Sequence, residues 1–181
     1  EKRMSSLMER IQTVSSTTNT IGSSLDANRT KVDKLVNVKR LLKLCPQGKV
    51  YGMDLSEESV AFARRHNAGE LDRRCFIQQG DVCSLPYGDG AFDAVTAFET
   101  VYFWSSVSKA LAEVFRVIRK GGCFLISLEA SDPELGKAWT ERIKGMTVYG
   151  AEELKQLLSQ AGFSDIRVIQ KKEELHIVAH K

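Results

Sequence analysis

Few features of this sequence are concentrated enough to point to a special class of protein, and each scarcity excludes something. With three prolines and 13 glycines in 181 residues, a collagen-like fibre is excluded. Four cysteines (Cys45, Cys75, Cys83, Cys123) lie apart without a CxxC pair, and only three histidines accompany them. That leaves no zinc spacing and no framework of secreted disulfides. The longest apolar runs, such as Cys123 to Leu128, fall far short of the roughly 20 residues of a membrane helix. Neither sign of charge dominates: a formal net charge of +3 is too small to argue for nucleic acid. No charged-then-apolar leader opens the chain and no initiator Met stands at its start. The expectation is therefore a cytoplasmic protein whose natural N-terminus lies further upstream. What is present is an ordinary globular mixture, 43% hydrophobic and 27% charged, at a length typical of one domain with a sizeable core.

The first 49 residues differ from the rest, carrying ten Lys/Arg against four Asp/Glu, whereas the remainder carries 16 against 19. Such a basic segment can meet an acidic partner, although solvated helix faces account for it better. Met4, Leu7, Met8 and Ile11 fall at helical spacing, and residues 15–24 are nearly all small and polar, as in a loop or linker. Residues 1–30 are thus expected to be an atypical N-terminal segment, and 31–181 the folded domain. Within it, Leu35, Val38, Leu41, Leu42 and Cys45 share one helical face, and Pro46 and Gly48 end that helix.

From Lys49 onward the pattern alternates strand and helix. Val50 to Met53 reads as a strand ending at Asp54. Ser56 is a natural N-cap, with Glu57 and Glu58 in the first turn of a helix running towards Leu71. Cys75 to Gln78 and Ala91 to Phe98 are the next strands. An amphipathic helix through Val107, Leu111, Val114, Phe115 and Ile118 is expected to close at Gly121-Gly122. Cys123 to Leu128 is a strand, Leu154 to Ala161 a helix, and Ile166 to Ile169 with Leu175 to Ala179 a final hairpin. Alternation of this kind implies an α/β, Rossmann-like fold: a mostly parallel sheet with a C-terminal antiparallel hairpin. In such sheets ligands bind beyond the carboxyl ends of the strands.

Three strand ends carry polar chemistry. Asp54 stands where an α/β cofactor domain often presents a carboxylate to a ribose diol, with charge-assisted bonds worth about 1.5–3 kcal/mol each. Asp81 can accept from the exocyclic amine of a purine, and the N–H of Val82 can donate to a ring nitrogen. Glu99 ends the strand FDAVTAF, with Tyr102, Phe103 and Trp104 expected at the opening of the next helix.

The segments GKVYGMDLSEESVAFAR, GDVCSLPYGDGAFDAVTAFETVYFW, EVFRVIRKGGCFLIS and YGAEELKQLLSQAGFSDIRV, in that order, resemble the class I S-adenosylmethionine-dependent methyltransferases of the small-molecule type, across residues 48–181. The resemblance implies a seven-stranded sheet binding S-adenosylmethionine. Asp54 would hold the ribose, Leu55 would pack on the adenine, Asp81 and Val82 would bind its edge, and Phe98 with Glu99 would lie near the methionine part. It also implies a small-molecule methyl acceptor, under the stretch Leu128 to Tyr149; the small net charge and short apolar runs give the expectation of neither nucleic acid nor membrane as partner.

One departure from the family bears on activity. The family opens with a strand and a glycine-rich loop, D-x-G-x-G-x-G, where backbone approaches the methionine moiety because glycine has no Cβ. Here Gly22 is the only glycine before Gly48, so the first strand is absent or atypical and its neighbours would be left with unpaired edges. A smaller departure is Lys120, in place of the Pro usual before the Gly-Gly pair. If the acceptor must lose a proton, Glu99 and Tyr102 are the candidate bases, and the aromatic trio is a candidate neighbour of a sulfonium. Against these stand plainer roles: turn or capping carboxylates for Asp54, Asp81 and Glu99, packing for the aromatics, and structural or surface roles for the three histidines. Two further readings compete with the methyltransferase one. A catalytically silent member with a binding or regulatory role accounts for the missing loop. A nicotinamide-dependent dehydrogenase shares the carboxylate but equally needs a glycine fingerprint.

Overall fold

The computed structural model describes residues 37–134, 136–171 and 174–181, all within one compact unit, Asp33–Lys181. The helical and linker expectations for residues 2–24, and the proposed segment 1–30, lie outside the described residues. The fold begins with a helix at residues 37–44 (α1). Val50–Asp54 (β1), Glu57–His66 (α2) and Cys75–Gln79 (β2) then form a βαβ unit, the two strands pairing in parallel from Val50↔Cys75 to Asp54↔Gln79. A second βαβ unit follows: Phe92–Phe98 (β3), Val107–Val117 (α3) and Ile118–Leu128 (β4), again parallel. Lys137–Arg142 (α4) and Ala151–Gln160 (α5) lead into the hairpin of Ser164–Lys171 (β5) and Glu174–His180 (β6), whose second strand pairs antiparallel with β4.

The described strands form two sheets, β1-β2 and β3-β4-β6-β5. The edges of β1 and β3 away from these partners pair with no strand among the described residues, at the place where an absent or atypical first strand was expected to leave a gap. Aromatic rings join the two sheets instead. Tyr51 of β1 meets Phe92 of β3 at 5.4 Å between centroids and Tyr87 of the preceding loop at 5.8 Å, and it stacks on Phe76 of β2 at 4.9 Å.

Two cores result. The larger gathers Val101, Leu111, Val114, Phe124, Ile126, Leu158 and Ile177 between β3–β6 and helices α3 and α5. The smaller holds Leu42, Val50, Ala63, Cys75 and Ile77, with Val38 and Leu41 of α1 packed against it. The helical face of α1 is therefore the expected one, except that Cys45 is exposed: the helix has ended and the residue turns outward. The helix stops just before Pro46, as the sequence predicts, and a distant side chain caps it. Arg74 donates to the carbonyls of Leu42 (2.9 Å), Cys45 (2.8 Å) and Gly48 (3.2 Å), satisfying groups that a helix C-terminus leaves unpaired.

Three other boundaries differ from expectation. Gly121-Gly122 does not close α3. The helix ends at Val117, and Ile118 already pairs with Phe92, so the glycines form an irregularity inside β4, between Ile118 and Cys123. A Cβ on Gly122 would stand 2.7 Å from the Asp93 carbonyl oxygen, which is why glycine is needed there. Helix α2 stops at His66, short of Leu71, where the Asn67 N–H turns back to the Ala63 and Arg64 carbonyls. Tyr102 and Phe103 do not open α3 but belong to a separate 3₁₀ turn, Val101–Phe103, with Trp104 just after it; α3 starts at Val107 behind the Ser106 cap.

Candidate functional site

The carboxyl ends of the parallel strands carry the site, and two of them use one local device. Asp54 accepts the N–H of Ser56, two residues on, through Oδ1 at 2.8 Å; Asp81 likewise accepts the N–H of Cys83 through Oδ1 at 2.8 Å. Each Asx turn locks its carboxylate against the strand end and leaves the second oxygen for another donor. Ser56 then caps α2 by accepting the Ser59 N–H, as its position in the sequence predicts. The two turns are joined: Gly80 N–H donates to the Asp54 carbonyl at 3.1 Å, and the Gln79 side-chain amide donates to the Leu55 carbonyl at 2.9 Å. Leu55 stands out with 59% of its surface exposed. The Val82 N–H has no hydrogen bond among the described residues, while its side chain packs against the larger core. Asp54, Leu55, Asp81 and Val82 therefore share one end of the β1-β2 sheet.

The end of β3 is built differently. Phe98 pairs with Ser127, and the next residue, Glu99, sits at φ +54°, a left-handed conformation that side-chain-bearing residues rarely adopt. Its own N–H donates to the Ser127 carbonyl at 3.0 Å, and its Oε1 accepts the Glu129 N–H at 2.8 Å. Tyr102 is buried, 3% exposed, and its hydroxyl accepts the Ala130 N–H at 2.9 Å. Burial, and after it the nearby Glu99 charge, push the Tyr102 phenol well above its ordinary range. The aromatic trio divides. Tyr102 is in the core, Trp104 packs against the core with its ring stacked on Phe124 at 6.4 Å, and Phe103 remains exposed.

Several contributors to the site carry no local sequence signal. The loop between Asp81 and β3 is anchored by a pair on α3. Glu113 accepts the Leu85 N–H (2.8 Å), and Arg116 donates to the Leu85 and Tyr87 carbonyls (3.0 and 2.7 Å). Hydrogen bonding to Arg116 holds the Glu113 carboxyl down at about 2. Beside the end of β4, the half-buried His176 lies 3.1 Å from the Ser127 hydroxyl, and burial lowers its pKa. Arg116 and His176 lie 27 to 49 residues from the groups they reach, beyond any local pattern.

Among the described residues no group of three His, Cys, Asp or Glu side chains is placed to hold a metal ion, and no helix is long and apolar enough to cross a membrane. S-adenosylmethionine fits one half of the site. Two locked carboxylates with an oxygen to spare, and an unengaged N–H between Asp81 and Cys83, suit a ribose diol and a purine edge. The methionine half has no glycine-rich loop in the sequence to approach it.

Comparison with known proteins speaks to the family and the fold. A family model described as a methyltransferase domain matches residues 36–126. A demethylmenaquinone methyltransferase of Symbiobacterium thermophilum is 37% identical over 92 residues, 50% of this chain and 36% of that protein. The ubiquinone/menaquinone biosynthesis C-methyltransferase UbiE of Dinoroseobacter shibae is 36% identical over 104 residues, 55% of this chain and 41% of that protein. The chain thus spans about two-fifths or less of the length of these relatives. A crystal structure of a SAM-dependent methyltransferase from Thermotoga maritima superposes with a TM-score of 0.63 at 21% identity, covering 83% of this chain and 89% of that one, a likeness of fold. By the methyltransferase-domain model that matches half of its length, together with this likeness of fold, the chain belongs to the class I S-adenosylmethionine-dependent methyltransferase family.

Proposed function

We propose that this protein binds S-adenosylmethionine by its adenosine end and transfers the methyl group to a small-molecule acceptor. The observation that carries the reading is the pair of Asx-locked carboxylates, Asp54 and Asp81, at adjoining strand ends, with the Val82 N–H unengaged between Asp81 and Cys83. Asp54 receives the ribose hydroxyls on its second oxygen. Asp81 and the Val82 N–H read the purine edge, and the exposed Leu55 covers one face of the ring. Because the turns hold these groups before any ligand arrives, little ordering is required of them on binding. When bound, the cofactor would supply a sulfonium-activated methyl group to an electron pair of the acceptor, with a thioether as leaving group and any acceptor proton released to solvent. The protein's part is alignment and exclusion of water rather than covalent chemistry.

For the acceptor, the names of the similar proteins direct attention to quinols. Phe103 and Ile143, both exposed apolar side chains, offer surface suited to a partly apolar molecule. Reduced demethylmenaquinone is therefore the first acceptor to assay. A second reading, a silent member used for binding, is favoured by one specific observation, the absence of a glycine-rich loop before Asp54.

Calorimetric titration with S-adenosylmethionine and S-adenosylhomocysteine, alongside Asp54→Ala, tests the proposal. Micromolar binding that the substitution weakens at least tenfold is the expected result. A folded protein that binds neither compound refutes the cofactor reading; binding without turnover of any acceptor supports the silent one.

A further inference from the structure

The chain leaving β4 passes through residues 129–134 and 136–149 before α5, and one residue holds both of its ends. The Tyr102 hydroxyl accepts the Ala130 N–H at 2.9 Å where this segment begins. The Tyr102 backbone carbonyl accepts the Thr147 N–H at 2.9 Å where it finishes. Glu99 reinforces the first tie by accepting the Glu129 N–H at 2.8 Å. Between its ends the segment folds on itself. Gly136 N–H donates to the Asp132 carbonyl at 2.7 Å, and a Cβ at Gly136 would stand 2.8 Å from a Val148 methyl. Trp139 and Ile143 are carried on this folded segment.

Glu99 holds its left-handed conformation, a strained one for a side-chain-bearing residue, because three bonds converge on this corner: its own N–H to Ser127, its carboxylate to the Glu129 N–H, and the Tyr102 hydroxyl to the Ala130 N–H. The hydroxyl of Tyr102 is already engaged as an acceptor. With burial keeping the phenol protonated, it is poorly suited to accept a proton from a substrate.

We propose that Tyr102 is a positioning residue: its hydroxyl fixes the distance between the Phe98–Glu99 corner at the end of β3 and the segment that covers the acceptor. The inference rests on the methyltransferase reading of the site, which gives that corner its cofactor and that segment its acceptor. Tyr102 then acts through Ala130 and Glu99, setting where Trp139 and Ile143 stand relative to the strand ends.

The test compares the full chain with Tyr102→Phe, which keeps the ring packing and deletes only the hydroxyl, and with Tyr102→Leu, which disturbs both. Residue-resolved amide exchange by NMR reads the ties. In Tyr102→Phe the Ala130 amide is expected to exchange at least tenfold faster, whereas Thr147, bonded to the backbone, changes less than twofold. The Trp139 indole resonance gives a spectroscopic readout that loss of packing alone would not explain. S-adenosylmethionine is expected to shift it in the native chain and to leave it unmoved in Tyr102→Phe, with binding affinity conserved within twofold. An Ala130 exchange rate unchanged in Tyr102→Phe, or a Trp139 response to the cofactor retained there, overturns the proposal. Failure of the methyltransferase reading looks different: the native chain itself binds no S-adenosylmethionine, and the Ala130 rate still rises in the variant.

Discussion

Replacing Arg74 by Met isolates one interaction that no local pattern announces. The guanidinium reaches back 26 to 32 residues to three carbonyls at and beyond the end of α1, two through part-buried bonds (Leu42 and Gly48) and one at the exposed Cys45. Bonds from a charged donor contribute about 1.5 kcal/mol each at the lower end of their range, and the Cys45 carbonyl recovers water at little cost. The accompanying ion pair with Glu70, 3.8 Å apart and about a third exposed on both sides, adds little. The loss is therefore about 2–3 kcal/mol, and α1 with Val38, Leu41 and Leu42 loses its hold on the smaller core. Urea denaturation followed by circular dichroism measures it as a lower midpoint at unchanged slope. Arg74→Lys is the sharper control: an ammonium on a flexible stem cannot reproduce the fork, so it should recover less than half of the loss. A loss below about 1 kcal/mol in Arg74→Met, or full recovery with Lys, would refute the reasoning.

Two further outcomes follow from the same structure. The Glu113 carboxyl, held at about 2 by Arg116 against 4.5 for the free side chain, contributes stability above pH 4.5 that is lost as pH falls towards 2, because the unfolded chain takes up the proton first. Glu113→Gln should flatten that limb of the stability–pH curve, and a curve of unchanged shape would rule it out. Gly122→Ala places a methyl 2.7 Å from both the Asp93 carbonyl oxygen and an Ile118 methyl, and should cost about 1–3 kcal/mol in thermal or urea unfolding. A neutral effect would mean that β3 and β4 yield freely at this point.

What was legible in the sequence was local. The Ser56 cap, the acidic first turn of α2, the order of strands and helices and the final hairpin each depend on neighbours within a few residues, and the structure has them in place. The strand-end positions of Asp54 and Asp81 were equally readable, since a strand followed by a turn residue needs no distant information. The Gly121-Gly122 pair misled because glycine commonly ends helices, whereas its reason here is the carbonyl of Asp93 on another strand. The aromatic trio was split by long-range packing: Phe124 stacks on Trp104, and Ala130 and Thr147 bond to Tyr102. Arg74, Arg116 and Tyr102 organise the molecule through partners more than 25 residues away, and periodicity carries no trace of such contacts.

The inequality of the two cores gives the molecule a soft half and a firm one. Among the described residues, Leu42, Val50, Ala63, Cys75 and Ile77 form a smaller buried cluster than the assembly around Phe124 and Ile177, so β1, β2 and α2 are expected to open at lower free energy than the rest. That soft half carries Asp54 and Leu55. A ligand seated there and absent from the opened form raises the cost of opening by RT ln(1 + [L]/Kd), about 2.7 kcal/mol at a hundredfold excess over Kd. On the proposed reading, adenosine binding at this end would be a fold-completing event for this half. Cleavage by a protease at fixed excess of S-adenosylhomocysteine would slow in the segment around α2 before it slowed anywhere in the hairpin.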